Sequence, residues 1–245
     1  MGRHVGSFLV MVLSVPFMAS YYILFNQFKL RALPFGLIAP LVLITVDLLC
    51  STHPKSNLDT LRHNGYSPLQ TFGSVLWAYV MFFPGGYIVL DIVFPLPLPL
   101  TPSMISLSFV LKILINLAVS EITFTLAHSL MHRYWPSIHH MHHCCTKASY
   151  TSNYVFHPID VALELALPML SVVVFTRTFT NDDAALLVTL SIINVWYGSD
   201  HDEFIRLPHT IHHRLINSRY SAYINTKTGI FSDHVRSLVK LNKNK

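Results

Sequence analysis

Six apolar stretches, at about 5–25, 33–50, 70–92, 104–127, 159–176 and 184–198, are separated by short polar intervals. Val5 to Phe28 carries no charge, and Asn64 to Leu90 contains no Asp, Glu, Lys or Arg. Both runs are long enough to cross a hydrocarbon core of about 30 Å. No segment alternates with the two-residue period of a half-buried strand, and no repeat of solenoid length is present. The pattern predicts an all-α integral membrane helical bundle. The second stretch and the last two are short for full spans, so about four full spans plus a shallower helical hairpin are expected, with six spans as the alternative. The first stretch exceeds the apolar core of a signal peptide and lacks a clean small-x-small site, so it reads as an anchor. FPLPLPLTP at 94–102 cannot be helix interior and serves as a connector.

Composition agrees with a lipid environment. The chain has 245 residues, 52% hydrophobic and 12% charged, against about 25% charged in ordinary soluble domains. The net charge of +5 does not indicate nucleic acid, because eight of the seventeen basic residues fall between Arg206 and Lys245. That clustering suits a cytosolic tail beside anionic lipid. With Arg3, Lys55, Arg62, Arg133, Lys147 and the tail on one side, the positive-inside rule places the histidine-rich segments in the cytoplasm; Lys29 and Arg31 oppose this assignment. Cys50, Cys144 and Cys145 form no disulfide framework and read as reduced thiols.

The chemistry is concentrated in histidine. HSLMHRYWPSIHHMHH (128–143) and HTIHH (209–213) hold most of the fifteen imidazoles. His128 and His132 are four apart and share a helical face at the end of the fourth apolar stretch. Pro136 ends that helix. His139, His142 and His143 then stand at i, i+3, i+4, and His209, His212 and His213 repeat the spacing after Pro208. Chance predicts about 0.06 occurrences of HxxHH for this composition, and there are two. His140 points about 100° away from its neighbours on a helix and reads as a non-ligand; His4, His53, His63 and His234 read as ordinary side chains.

Eight imidazoles exceed one tetrahedral zinc site, which implies two metal ions. Imidazole suits iron, zinc, copper and nickel alike. The three glutamates, Glu121, Glu164 and Glu203, include none three residues before a histidine. A carboxylate di-iron centre, built in soluble bundles from glutamates and ExxH pairs, is therefore excluded by inventory. Asp160, Asp200, Asp202 and Glu203 are candidates to orient ring N–H groups. Glu121, two turns below His128, is either a functional group within a span or a partner of Lys112.

The ordered triplet HxxxH, HxxHH, HxxHH between membrane segments resembles the fatty acid hydroxylase/sterol desaturase superfamily, over roughly residues 105–235. HSLMH is similar to that family's first box, HHMHH to its second and HTIHH to its third. The resemblance implies two non-haem iron ions held by His128, His132, His139, His142, His143, His209, His212 and His213. It adds His201, in GSDHDE, where the family often carries an extra histidine. His157, in FHPID, matches a frequent His-Pro, with ligation and a supporting role both open. Only RYWPSI separates the first two boxes, shorter than is usual, and NSRYSAY carries Ser221 where the family has glycine. These departures blur the subfamily. The implied organisation is a single overall unit: N-terminal membrane helices to 104, a hydroxylase-like catalytic part over 105–235 and a basic cytosolic tail over 236–245.

The resemblance further implies an O2-dependent oxidoreductase of the endoplasmic reticulum membrane that hydroxylates or desaturates a sterol, fatty acyl or sphingoid lipid. Electrons would come from an external b-type cytochrome and its reductase, since no fused haem motif is present. Three rivals fit less well. A zinc hydrolase should carry HExxH, which is lacking. A membrane metal transporter or binding protein should place its ligands near the bilayer midplane. A bis-histidine haem protein needs far fewer histidines.

Overall fold

The computed structural model describes residues 29–50, 53–81, 105–147, 149 and 151–199, scattered positions between 13 and 28, Ile88, and His209, His212 and His213. Every regular element among these is helical. A 3-10 turn, Lys29–Ala32, leads into α1 (Leu33–Cys50), followed by α2 (His53–His63) and α3 (Pro68–Val80). The chain continues with α4 (Leu107–Tyr134), α5 (Pro136–His143), α6 (Pro158–Thr180) and α7 (Asp183–Ser199).

Local chemistry sets these boundaries. Ser67 caps α3 in a capping box: its hydroxyl accepts from Gln70 N–H at 3.2 Å, and the Gln70 side chain accepts from Ser67 N–H at 2.8 Å. Ser106 caps α4 through Phe109 N–H. Pro136 occupies the first turn of α5, so α4 stops at Tyr134 as its spacing predicts. Within α6, Val161–Ala166 is a π-helical segment, and Leu167 N–H bonds Ala162 O, five residues back. Pro168 supplies the cause. It has no N–H for the carbonyl of Glu164, and its ring crowds that carbonyl.

Among the described residues, three helices are long and apolar enough to cross a membrane: Lys29–Leu49, Leu107–Tyr134 and Pro158–Thr180. Two of these arise from stretches expected to be too short. The helix runs past the apolar residues at one end, through Lys29–Ala32 in the first case and Thr176–Thr180 in the other. The first stretch, the 94–102 connector and the basic tail lie outside the described residues.

Helix α4 packs against α6 and α7, with its polar residues inward. Asn116, Ser120, Glu121, Thr125 and His128 are buried, while Leu111, Leu114, Ile122 and Leu126 are exposed. That inversion of the soluble pattern is what lipid-facing helices require. Leu43, Tyr79, Phe124, Phe156, Val172, Leu186 and Ile193 belong to one core drawn from all the long elements. The bundle has two polar ends. At one, Lys112 pairs with Asp182 at 2.8 Å. The last two turns of α4 and the first two of α6 form the other, which begins about 24 Å away at His128 by helical rise.

Candidate metal centre

Eight of the nine histidines proposed from the sequence converge at this second end. His128, His132, His139, His143 and His212 form one buried group, and His142, His209 and His213 form another, each able to hold a metal ion. Within the first group the Nε2 atoms of His139 and His143 are 2.8 Å apart, those of His132 and His212 2.9 Å, and those of His132 and His143 3.0 Å. His128 and His132 Nε2 are 3.2 Å apart. In the second group His213 Nε2 lies 3.0 Å from His142 and 3.1 Å from His209. The groups adjoin, with the His143 and His213 rings 4.7 Å apart.

The HxxHH spacing acquires a purpose here. On a helix, i and i+4 differ by about 40°, while i+3 is turned about 100° from i+4. His139 and His143 therefore reach the five-histidine group, and His142 turns to the three-histidine group. The third box reverses the assignment: His209 and His213 serve the triad and His212 the pentad. His213 N–H bonds His209 O at 3.1 Å, closing the helical turn this requires. The spacing suggests one face for each HxxHH box; the structure divides both of these boxes between the two clusters and keeps His128 and His132 together.

Back-side hydrogen bonds fix the ring orientations. His139 Nδ1 donates to Asp160, whose two oxygens both lie 3.0 Å away. His142 Nδ1 donates to Val155 O at 3.2 Å, and its ring stacks on Phe156 with centroids 4.0 Å apart. With Nδ1 protonated and engaged, each Nε2 offers a bare lone pair to the cluster, the arrangement metal-binding histidines adopt. Phe156 is held in turn by Ser74 of α3, whose hydroxyl donates to Phe156 O at 2.7 Å and accepts from Phe156 N–H at 2.8 Å.

Several expectations change. Glu164, dismissed from its spacing, is 1% exposed and stands 3.4 Å from His128 Nε2 and 3.6 Å from His139 Nε2. A signal existed: an acid inside an apolar run long enough to span a membrane. His157 joins neither cluster; its Nδ1 accepts from Ile159 N–H at 3.3 Å and caps α6. His140 is exposed, near Tyr66 and Cys144, as its helical phase predicts. Lys112 is engaged with Asp182, and Glu121 is buried in α4. Cys144 and Cys145 are buried outside both clusters, and burial pushes both thiols up, away from the thiolate that metals bind. His201, Asp200, Asp202 and Glu203 lie outside the described residues.

The donors fit transition-metal ions. Metal–nitrogen bonds of about 2.0–2.1 Å put ligand nitrogens about 2.9 Å apart in an octahedral site and about 3.4 Å apart in a tetrahedral one. The shortest separations, 2.8 to 3.4 Å, span that range, and all the donor atoms of each group lie within 4.8 Å of one another. No family model, curated protein or solved structure matches this chain.

Proposed function

We propose that this protein is an O2-dependent membrane oxidoreductase that uses two non-haem irons to hydroxylate or desaturate a lipid. The observation that carries the reading is the convergence of eight imidazoles, split between two adjoining buried groups at one end of membrane-length helices. The order of the histidine boxes, which resembles the fatty acid hydroxylase/sterol desaturase superfamily, supplies the reaction class.

An unactivated C–H bond yields to no side-chain acid or base, and bound iron supplies the redox chemistry that attacks it. The balance for hydroxylation is RH + O2 + 2e⁻ + 2H⁺ → ROH + H2O. Desaturation uses the same inputs and releases two waters. The side chains set the conditions. Asp160 and Val155 O hold His139 and His142 in the tautomer that presents Nε2. The burial of His128, His139, His142 and His212 keeps bulk water from competing for the metals. The resemblance adds His201 as a further donor. An external b-type cytochrome and its reductase are the electron source in this reading, and the endoplasmic reticulum membrane, with the histidines cytosolic, is the location.

Metal transport is disfavoured, because the histidines of α4 occupy its end rather than its middle and those of α5 lie beyond it. Metal analysis of the purified protein tests the reading first: two irons per chain and no haem absorption are expected. Cells lacking the protein should accumulate an unmodified lipid, restored by wild type and not by His142→Ala. One zinc per chain, or an unchanged lipid profile, would refute it.

A further inference from the structure

Two carboxylates approach the five-histidine cluster, and they address opposite nitrogens of the same ring. Asp160 stands 3.0 Å from His139 Nδ1, a hydrogen-bond distance on the outward side. Glu164 Oε1 stands on the inward side, 3.6 Å from His139 Nε2 and 3.4 Å from His128 Nε2. Those separations are too long for N–H···O bonds, which run about 2.7–3.2 Å. Both nitrogens are the ones turned to other imidazoles, His139 to His143 and His128 to His132. Donor atoms sharing one ion, with metal–oxygen bonds of about 2.0–2.2 Å, lie about 2.9–3.4 Å apart. The 3.4 Å to His128 Nε2 falls at the upper end of that range and the 3.6 Å to His139 Nε2 just beyond it, so Glu164 stands beside a ligand's position, where Asp160 occupies an orienting one.

Burial strengthens the distinction. A carboxylate that is 1% exposed keeps its charge only beside positive or hydrogen-bonding groups, and a metal ion in the cluster would be one such group. Eight neutral imidazoles around two divalent ions leave the pocket strongly cationic and in need of an anion. The π segment Val161–Ala166 sets the direction in which Glu164 leaves α6, and π segments of this kind recur at functional sites.

We propose that Glu164 is a direct metal ligand, so that one site is a mixed imidazole–carboxylate site and the other is imidazole on all its described donors. This inference rests on the metal-binding reading above. The harder, anionic oxygen favours iron or manganese over copper at that site and makes the two ions chemically unequal.

The test uses the full-length protein in lipid nanodiscs, loaded with Co(II) or, anaerobically, with Fe(II). Bound metal per chain and the visible Co(II) ligand-field spectrum are measured. Wild type is expected to bind two equivalents with two distinguishable sets of bands. Glu164→Gln, nearly isosteric, should lose one equivalent or bind it at least about 10-fold more weakly, with that site's bands shifted. Asp160→Asn should weaken the same site while leaving its band positions in place, as an orienting residue would. Glu164→Asp retains a carboxylate withdrawn by one methylene and Glu164→His restores a donor; either shifts the bands while keeping the ion, and they serve if Glu164→Gln does not fold. Two ions at wild-type affinity with an unchanged spectrum in Glu164→Gln, or in folded Glu164→Asp and Glu164→His, would overturn the assignment alone. A wild-type chain that takes up no transition metal would overturn the metal reading and this assignment together.

Discussion

The two histidine groups share a wall yet are built differently. The pentad takes ligands from α4, α5 and the third box, with two carboxylates of α6 against it. The triad takes its donors from α5 and the third box and leans on a backbone carbonyl and the ring of Phe156. Among the described residues, carboxylates stand against the pentad and none is seen against the triad. Nearly the same nitrogen chemistry is therefore placed in two electrostatic settings a single ring apart. Two metals bound in such settings would differ in affinity and potential even if both were iron.

The largest expected effects separate the groups by deletion. His139→Ala should remove the pentad ion and leave the triad occupied, while His213→Ala should do the reverse. Each lowers lipid-modifying activity below about 1% if two irons act together, as metal counting and turnover in paired samples would show. If either variant loses both ions, the groups form one cooperative site and the contrast between them collapses. Asp160→Asn comes next, with pentad affinity expected to fall about 10- to 100-fold and the triad unaffected, read by metal titration. Ser74→Ala probes the triad's support. It strips buried Phe156 N–H and C=O of their partner, costing about 1–3 kcal/mol, and should weaken triad occupancy before pentad occupancy in a thermal series.

The smallest effect is expected at the other end of the bundle. Lys112→Ala breaks a partly exposed ion pair, worth about 0.2–1 kcal/mol, and should leave both metals bound. Burial raises the Asp182 carboxyl, but hydrogen bonds from Lys112 and Ala185 N–H outweigh it and hold the group below its ordinary 3.8. A depressed folded value stabilises above the unfolded one, so this contribution should persist at neutral pH and fade as pH falls below 3.8. Stability of wild type and Lys112→Ala should converge there. A difference that grows on acidification contradicts the pairing.

Much was written in one dimension. Apolar runs announce helices for a membrane, Pro136 ends α4, and the i, i+4 and i, i+3, i+4 spacings mark eight clustered histidines, because these depend on neighbours a few residues apart along the chain. His140 could be set aside on helical phase alone. Other features depend on residues far apart in sequence. Glu164 is 36 residues from His128 by the numbering, and only the packing of α6 on α4, with a π segment forced by Pro168, brings its carboxylate to the imidazoles. The division of each HxxHH between two groups was equally hidden. Spacing gives the angle between side chains, whereas the side on which a partner helix waits is settled only when the bundle closes.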